Sequence, residues 1–296
     1  MAVSVLVANK FLPRILGTTT AAYKTPVPRF GQDEADRFDG SEQKSLWNKG
    51  AEAWASVVAQ GQNLYHTLFL YPEYERFIGP VKGLKVLDAG CGEGVWSRRM
   101  AEQGAEVTGV DLSKNMLAQA RRAERENPLG IQYQTSDFSS LKGVPSNSFD
   151  KVVTTMTMMY LPDFEKMYKA FYRVLKPGGE LVIITKHPVQ ARPVSQVQWQ
   201  LQDGEPTGVM LSGDYFHRQG FTHRATLHPE GKKVFVDTVH YQHTVSDHIN
   251  PLVQAGFELS EISEPPPSDE ACQQLPILKQ WKTIPFMLML RARKPE

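Results

Sequence analysis

The run Val86-Leu87-Asp88-Ala89-Gly90-Cys91-Gly92-Glu93-Gly94 constrains this chain more than any other stretch, because it sets three glycines at alternate positions after an apolar strand pattern and before a helical one. Glycines in that context let the backbone turn tightly and approach a ligand closely, and the free N–H groups at a helix start favour a negative group. A nicotinamide dinucleotide site would want G-x-G-x-x-G. Counting from Gly90, the last glycine position of that pattern is Val95, so the spacing fits poorly. Twenty-one residues beyond Gly90 stands Asp111, ending a second apolar stretch, where a carboxylate can accept hydrogen bonds from both hydroxyls of a ribose. A nucleoside-containing ligand is implied.

The pattern around the glycines alternates strand and helix. Lys85 to Ala89 reads as a strand, Val95 to Gln103 as a helix, Glu106 to Val110 as a strand and Lys114 to Glu126 as a helix. Ile131 to Thr135, Lys151 to Thr155, the helical Asp163 to Leu175 and the strand Glu180 to Thr185 continue the series, with Pro177-Gly178-Gly179 as a turn. This is the pattern of a doubly wound α/β fold, a parallel sheet with helices on both faces. After Thr185 the rhythm breaks. Val209 to His217, Phe221 to His228 and Lys232 to Gln242 look like strands, so residues 187–245 read as an inserted β-rich cap. Ser246 is the expected N-cap of a helix ending near Ala255, followed by a strand from Phe257 and a last strand from Pro285 to Ala292. The acidic, proline-rich run Glu261 to Glu270 reads as a loop. Upstream, Gln43 to Gln60 has helical apolar spacing. The division expected is an arm over residues 1–42 and one domain over 43–296.

Composition narrows the function classes. With 33 Lys plus Arg against 32 Asp plus Glu in 296 residues, no overall charge attracts phosphate backbones or anionic lipid, so a nucleic-acid partner is not expected. No apolar run approaches the roughly 18 to 20 residues of a spanning helix, so no membrane span is expected. Two cysteines, Cys91 and Cys272, make no disulfide framework, and a reducing, cytoplasmic setting is the default. Residues 1–32 carry four basic and no acidic residues. That composition resembles an organelle-targeting segment, and it equally suits a mobile arm that folds over a pocket. Oligomeric state is not readable from the sequence.

The motifs resemble those of the class I S-adenosylmethionine-dependent methyltransferases, in particular the small-molecule, type 11-like kind whose glycine motif reads VLD-x-G-C-G-x-G. Further matches are Val107 to Ser113 with Met116-Leu117, Asp137-Phe138, Ser148-Phe149-Asp150, Arg173 to Gly179, His187-Pro188, Ala255-Gly256-Phe257 and Pro285-Phe286 running to Lys294. The resemblance implies a Rossmann-like seven-stranded sheet with an antiparallel last strand, and S-adenosyl-L-methionine as cofactor with S-adenosyl-L-homocysteine as product. It also implies that Asp88 organises the turn, that Gly90, Cys91, Gly92 and Gly94 line the methionine part, and that Asp111 holds the ribose. Leu112 and Met116 would pack on the adenine, Asp137 and Phe138 would read its edge, and Thr154 and Thr155 would meet the amino group.

Ligands in open α/β sheets bind beyond the carboxyl ends of the strands, which places Tyr160 and His187 as candidate catalytic groups. The expected acceptor pocket is largely apolar, built from Trp47, Tyr65, Phe69, Met158, Met159, Tyr215 and Phe216, with Arg224 as an anchor for an acidic small molecule. Seven of the eight histidines lie between His187 and His248, but no paired ligand motif accompanies them and no metal is expected. Many relatives have His before the Tyr that follows the fourth strand, where this chain has Met159, so no base is inherited. Methylation of O, N or C of a small molecule is the expected activity. A nucleic-acid or protein methyltransferase, or a non-catalytic cofactor-binding partner subunit, is the alternative.

Overall fold

A computed structural model describes residues 40–59, 64–191, 197–202, 205–211, 215–216 and 220–296. The expected arm lies outside the described residues up to position 39, and so does His217.

Helix α1 (Ser41–Ala59) comes first, then a short π-helical turn (His66–Leu70) that runs into α2 (Tyr71–Ile78). The core alternates β1 (Lys85–Ala89), α3 (Val95–Glu102), β2 (Glu106–Asp111), α4 (Lys114–Glu126), β3 (Gln132–Thr135), β4 (Phe149–Thr155), α5 (Glu165–Val174) and β5 (Leu175–Lys186). Two hairpins follow, β6 (Val197–Gln202) with β7 (Glu205–Leu211), and β8 (Gly220–Leu227) with β9 (Val234–Tyr241). The chain closes with α6 (Val245–Gln254), β10 (Glu258–Ser263), α7 (Asp269–Gln274) and β11 (Met287–Arg293).

Seven strands form one sheet in the order β10-β11-β5-β4-β1-β2-β3. The five from β5 to β3 are parallel, and β11 runs antiparallel to both β5 and β10. Alternation along β5 places Leu181 and Ile183 in the core layer beneath α5 and α6, and Val182 and Ile184 in the layer that holds Phe69, Tyr74, Phe77 and Trp96. Strand order reverses between β1 and β4, so a crevice opens beyond their carboxyl ends.

The cap differs from the sequence expectation in detail. Val209 to His217 is not one strand. Its start belongs to β7, paired with β6, whose alternation of Gln with apolar residues carried no turn signal of its own. The cap of α6 is Thr244 rather than Ser246: its hydroxyl accepts from the Asp247 N–H and the Asp247 carboxylate accepts from the Thr244 N–H, a reciprocal box that Ser246, inside the helix, cannot make. The run Glu261 to Glu270 is strand at its start and helix at its end rather than all loop. Among the described residues, no helix is long and apolar enough to cross a membrane.

Helix α1 ties the cap to the core. The Gln43 amide donates to the Val239 carbonyl on β9. Asn48 accepts from Ser113 Oγ at 2.8 Å, and its carbonyl accepts from Asn115 Nδ2 at 2.9 Å at the start of α4. Two residues beyond Asn48, a Cβ on Gly50 would stand 2.5 Å from Val236 Cγ1. Gly50→Val is therefore expected to push α1 off β9 and cost about 1–3 kcal/mol. Thermal denaturation checks this, and an unchanged melting temperature would refute the close approach.

Candidate functional site

The glycine loop closes over the end of β2. The Gly90 and Cys91 N–H groups both donate to the Val110 carbonyl, at 2.8 and 2.9 Å. Gly90 and Gly94 have φ of +79° and +86°, and a Cβ on either would stand 2.4 Å from Thr157 Cγ2 or from Tyr133 Oη respectively. Any side chain there would be both strained and obstructed. Gly92 faces the other way, with nothing within 4 Å of its missing Cβ. The Cys91 thiol packs toward Gly109 beneath the loop, and burial pushes its pKa up, so Cys91 serves the crevice through its backbone.

Three carboxylates surround this loop. Asp88 is fully buried; one oxygen accepts from Ser97 Oγ at 2.6 Å and Oδ1 has no partner among the described residues. Asp111 accepts from the Gly92 N–H at 2.9 Å and from the Ser113 N–H at 2.8 Å. Glu93, which the sequence reading passed over as a variable position, stands beside them and takes a hydrogen bond from Trp54. Burial holds Asp88 and Glu93 up at about 7, and the charge of Asp111 adds to both shifts. Burial likewise raises Asp111, against the backbone N–H groups of Ser113, Gly92 and Leu112. Among the described residues, no basic side chain contributes to any of the three shifts.

A buried acidic cluster with an orphaned oxygen and an open glycine face calls for a cationic ligand. S-adenosylmethionine, with its ammonium and sulfonium, fits that demand, and each Asp111 oxygen keeps a lone pair for a ribose hydroxyl. Met116 is buried and Leu112 half-buried beside this end of β2. The Asp137 carboxylate accepts from Ser139 N and Ser139 Oγ, both at 2.8 Å, so it builds its own turn. Phe138 reaches toward Gly90.

The end of β4 forms the opposite wall. Thr154 Oγ1 donates to the Ala89 carbonyl at 2.8 Å and lies 2.5 Å from Thr157 Oγ1, while Thr155 is half-buried. Met156, which sequence reasoning missed, has φ +54°, a left-handed conformation that an unbranched non-glycine residue holds only under constraint. Tyr160 follows on a 3₁₀ turn, deep yet not sealed, with its pKa raised by burial and then by Asp111. Its ring meets Trp47 at 5.4 Å and His240 at 5.2 Å, both edge-on, and Trp47 meets Trp54 at 5.6 Å.

The other sequence-predicted residues divide. Tyr65, its hydroxyl buried without a partner, packs on Phe69 and Phe286. Phe69, Met158 and Met159 are core side chains rather than open wall. Tyr215 Oη accepts from the Val245 N–H at 2.9 Å, and Phe216 is 79% exposed.

Two expectations need correction. His187 has a hydrogen bond on Nδ1 and a carboxylate close to Nε2, though Nε2 is not aligned for a hydrogen bond. Nδ1 accepts from the Val189 N–H at 3.1 Å, which leaves the proton on Nε2, 2.6 Å from Glu264 Oε1. It pins the segment after β5 rather than facing an acceptor. Arg224 is paired across the hairpin with Asp237, Nε to Oδ1 at 2.6 Å and Nη2 to Oδ2 at 2.7 Å. A bidentate pair leaves little of its charge for a substrate. His243 and His248 pack on Phe164 in the core. Among the described residues, no group of three His, Cys, Asp or Glu is placed to hold a metal.

Comparison with known proteins agrees with this geometry. Residues 87–183 match the model of a family described as a methyltransferase domain. A ubiquinone biosynthesis O-methyltransferase from Idiomarina loihiensis is 42% identical over 103 residues, 35% of this chain and 42% of the relative. One from Albidiferax ferrireducens is 36% identical over 132 residues, 44% of this chain and 52% of the relative. The chain thus spans about half the length, or less, of the curated relatives it matches. The structure of an S-adenosylmethionine-dependent methyltransferase from Mesorhizobium loti covers 75% of this chain and 96% of its own, with a TM-score of 0.61 and 28% identity. One from Listeria monocytogenes, described as a putative S-adenosylmethionine-dependent methyltransferase, covers 83% and 100%, with a TM-score of 0.60 and 26% identity.

Proposed function

From the premise that this chain is a class I S-adenosylmethionine-dependent methyltransferase by its domain, its sheet and its structural neighbours, we propose that it methylates an oxygen atom of a small, partly aromatic molecule. The observation that carries this reading is the juxtaposition of an acidic glycine crevice with the aromatic wall Trp47, Tyr160 and His240. S-adenosylmethionine supplies an electrophilic methyl group on its sulfonium. The chain's own residues bind, orient and exclude water. Asp111 would accept hydrogen bonds from the ribose hydroxyls, Leu112 and Met116 would flank the adenine, and Asp137 with the Phe138 backbone would meet the adenine edge. Asp88 and Glu93 offset positive charge, and the carbonyls of Thr154 and Thr155 orient the amino group.

Trp47 stands edge-on to both Tyr160 and Trp54, so a flat acceptor resting on Tyr160 would be held in line and away from water. Oxygen is favoured over nitrogen because the curated relatives are named O-methyltransferases. A small molecule is favoured over nucleic acid because a net charge of only +1 gives the chain little to follow a phosphate backbone with.

Incubation with methyl-labelled S-adenosylmethionine and a panel of catechols, hydroxybenzoates and benzylamines tests this. The expected result is a labelled methyl ether with stoichiometric S-adenosylhomocysteine. Label found only on the amines would overturn the choice of oxygen.

A further inference from the structure

Lys186 is the last residue of β5. By alternation it leaves the strand on the Val182 and Ile184 side, the face that carries Phe69 and Tyr74, rather than on the Leu181 and Ile183 side beneath α5 and α6. Among the described residues, no carboxylate, carbonyl or hydroxyl pairs with its ammonium. Its charge is felt instead by His223 on β8 and His240 on β9, whose rings stack at 4.4 Å and 14°. His240 Nδ1 is itself buried without a partner. On its other side His240 meets Tyr160, and Tyr160 feels Asp111. Cation, two imidazoles, phenol and carboxylate therefore run in sequence from the end of β5 to the end of β2.

A desolvated ammonium beside two neutral imidazoles is destabilising unless an anion completes it. Burial holds Lys186 down at about 8. Burial and Lys186 together hold His223 down at about 4, against Asp237, and His240 is lowered by burial and by both neighbours. The histidines are thus neutral, and among the described residues Lys186 is the cation of the cluster. It ends β5 beside the end of β4, at the carboxyl edge of the sheet where the glycine loop also lies.

We infer that Lys186 anchors the acceptor by holding the reacting hydroxyl as its oxyanion, which makes phenols and similarly acidic hydroxyls the substrate class of this site. The inference rests on the methyltransferase reading above. When the phenol enters beside the amine form, its O–H bond breaks and the proton forms an N–H bond on Lys186. Beside the ammonium form, the proton leaves to water. Either route ends in an ammonium–phenolate pair. The phenolate oxygen then forms the C–O bond as the methyl carbon's bond to sulfur breaks, and that electron pair stays on sulfur. Anion and sulfonium become a neutral ether and a neutral thioether. The ether no longer pairs with Lys186, so charge loss favours product release.

The test is titration of 4-nitrophenol with the full chain loaded with S-adenosylhomocysteine, in weakly acidic buffer where the free phenol is mostly protonated. The expected result is growth of the yellow phenolate absorbance with protein. Lys186→Met should lower phenolate affinity by about tenfold or more, and Lys186→Arg should retain it. S-adenosylhomocysteine affinity reports that each variant is folded, and Lys186→Gln replaces Lys186→Met if the latter does not fold. Binding of 4-nitrophenol in its neutral form, equal affinity in the variants, or preference for 4-nitrobenzoate would overturn the role of Lys186. Failure of the unsubstituted protein to bind S-adenosylhomocysteine would instead overturn the methyltransferase reading on which it rests.

Discussion

Asp111→Ala is expected to weaken S-adenosylhomocysteine binding by about a hundredfold or more, close to 3 kcal/mol, while the protein stays folded. The loss has two sources. In the proposed reading the carboxylate accepts from the ribose, and it also fixes the loop by accepting from the Gly92 and Ser113 N–H groups. The fold should survive because burial already opposes the charge of Asp111, so deleting that charge offsets the lost hydrogen bonds. Calorimetric titration beside a thermal melt separates the two effects. Undiminished affinity in a folded variant would remove Asp111 from the site.

Glu93→Gln should split stability from binding as pH changes. A carboxyl whose pKa is raised by folding contributes stability that is fully present below its unfolded value, near 4, and is lost as pH rises through its folded value. For Glu93 that window runs from about 4.5 up to about 7. The variant should therefore melt higher than the parent above pH 7, with the advantage shrinking toward pH 5. Taking the difference between the two proteins matters, because the buried histidines act in the opposite direction. His240 and His248 have lowered pKa values from burial, so their contribution is present above about 6.5 and is lost on acidification. Affinity for S-adenosylmethionine should fall in the variant above pH 7, where the glutamate is charged. It should fall more than affinity for the uncharged thioether product, since a sulfonium loses a neighbouring anion. A stability difference that is flat across this range would mean that Glu93 is not buried in its charged form.

The sequence was most informative where local pattern and tertiary role coincide. The bounds of β1 and α4 are those the apolar spacing predicts, because each is a short element closed by its own turn or cap. The Thr244 box was written in the spacing of Thr244 and Asp247 and was passed over for the nearer Ser246. Lys186, His240, Glu93 and Trp54 had no such signal. Lys186 ends an ordinary strand, and nothing in its neighbours along the chain reveals that two imidazoles from the second hairpin stand beside it. Arg224 misled for the same reason. Its partner Asp237 is thirteen residues away, and only the register of β8 on β9 brings the two together. His187 looked free because its partner Glu264 belongs to a distant segment.

Helix α1 holds Val239 through Gln43 across 196 residues and the start of α4 through Asn48 across about a third of that distance. Contacts of such long separation form late, since the chain between them must first be confined. By that measure the docking of α1 on β9 is expected among the later steps of folding, with the Arg291 contact to the Phe77 carbonyl across 214 residues. On a ribosome, Trp47 and Trp54 emerge long before β9 exists to receive them. A nascent chain that has completed the glycine loop but not the second hairpin would have its acidic crevice still open to water.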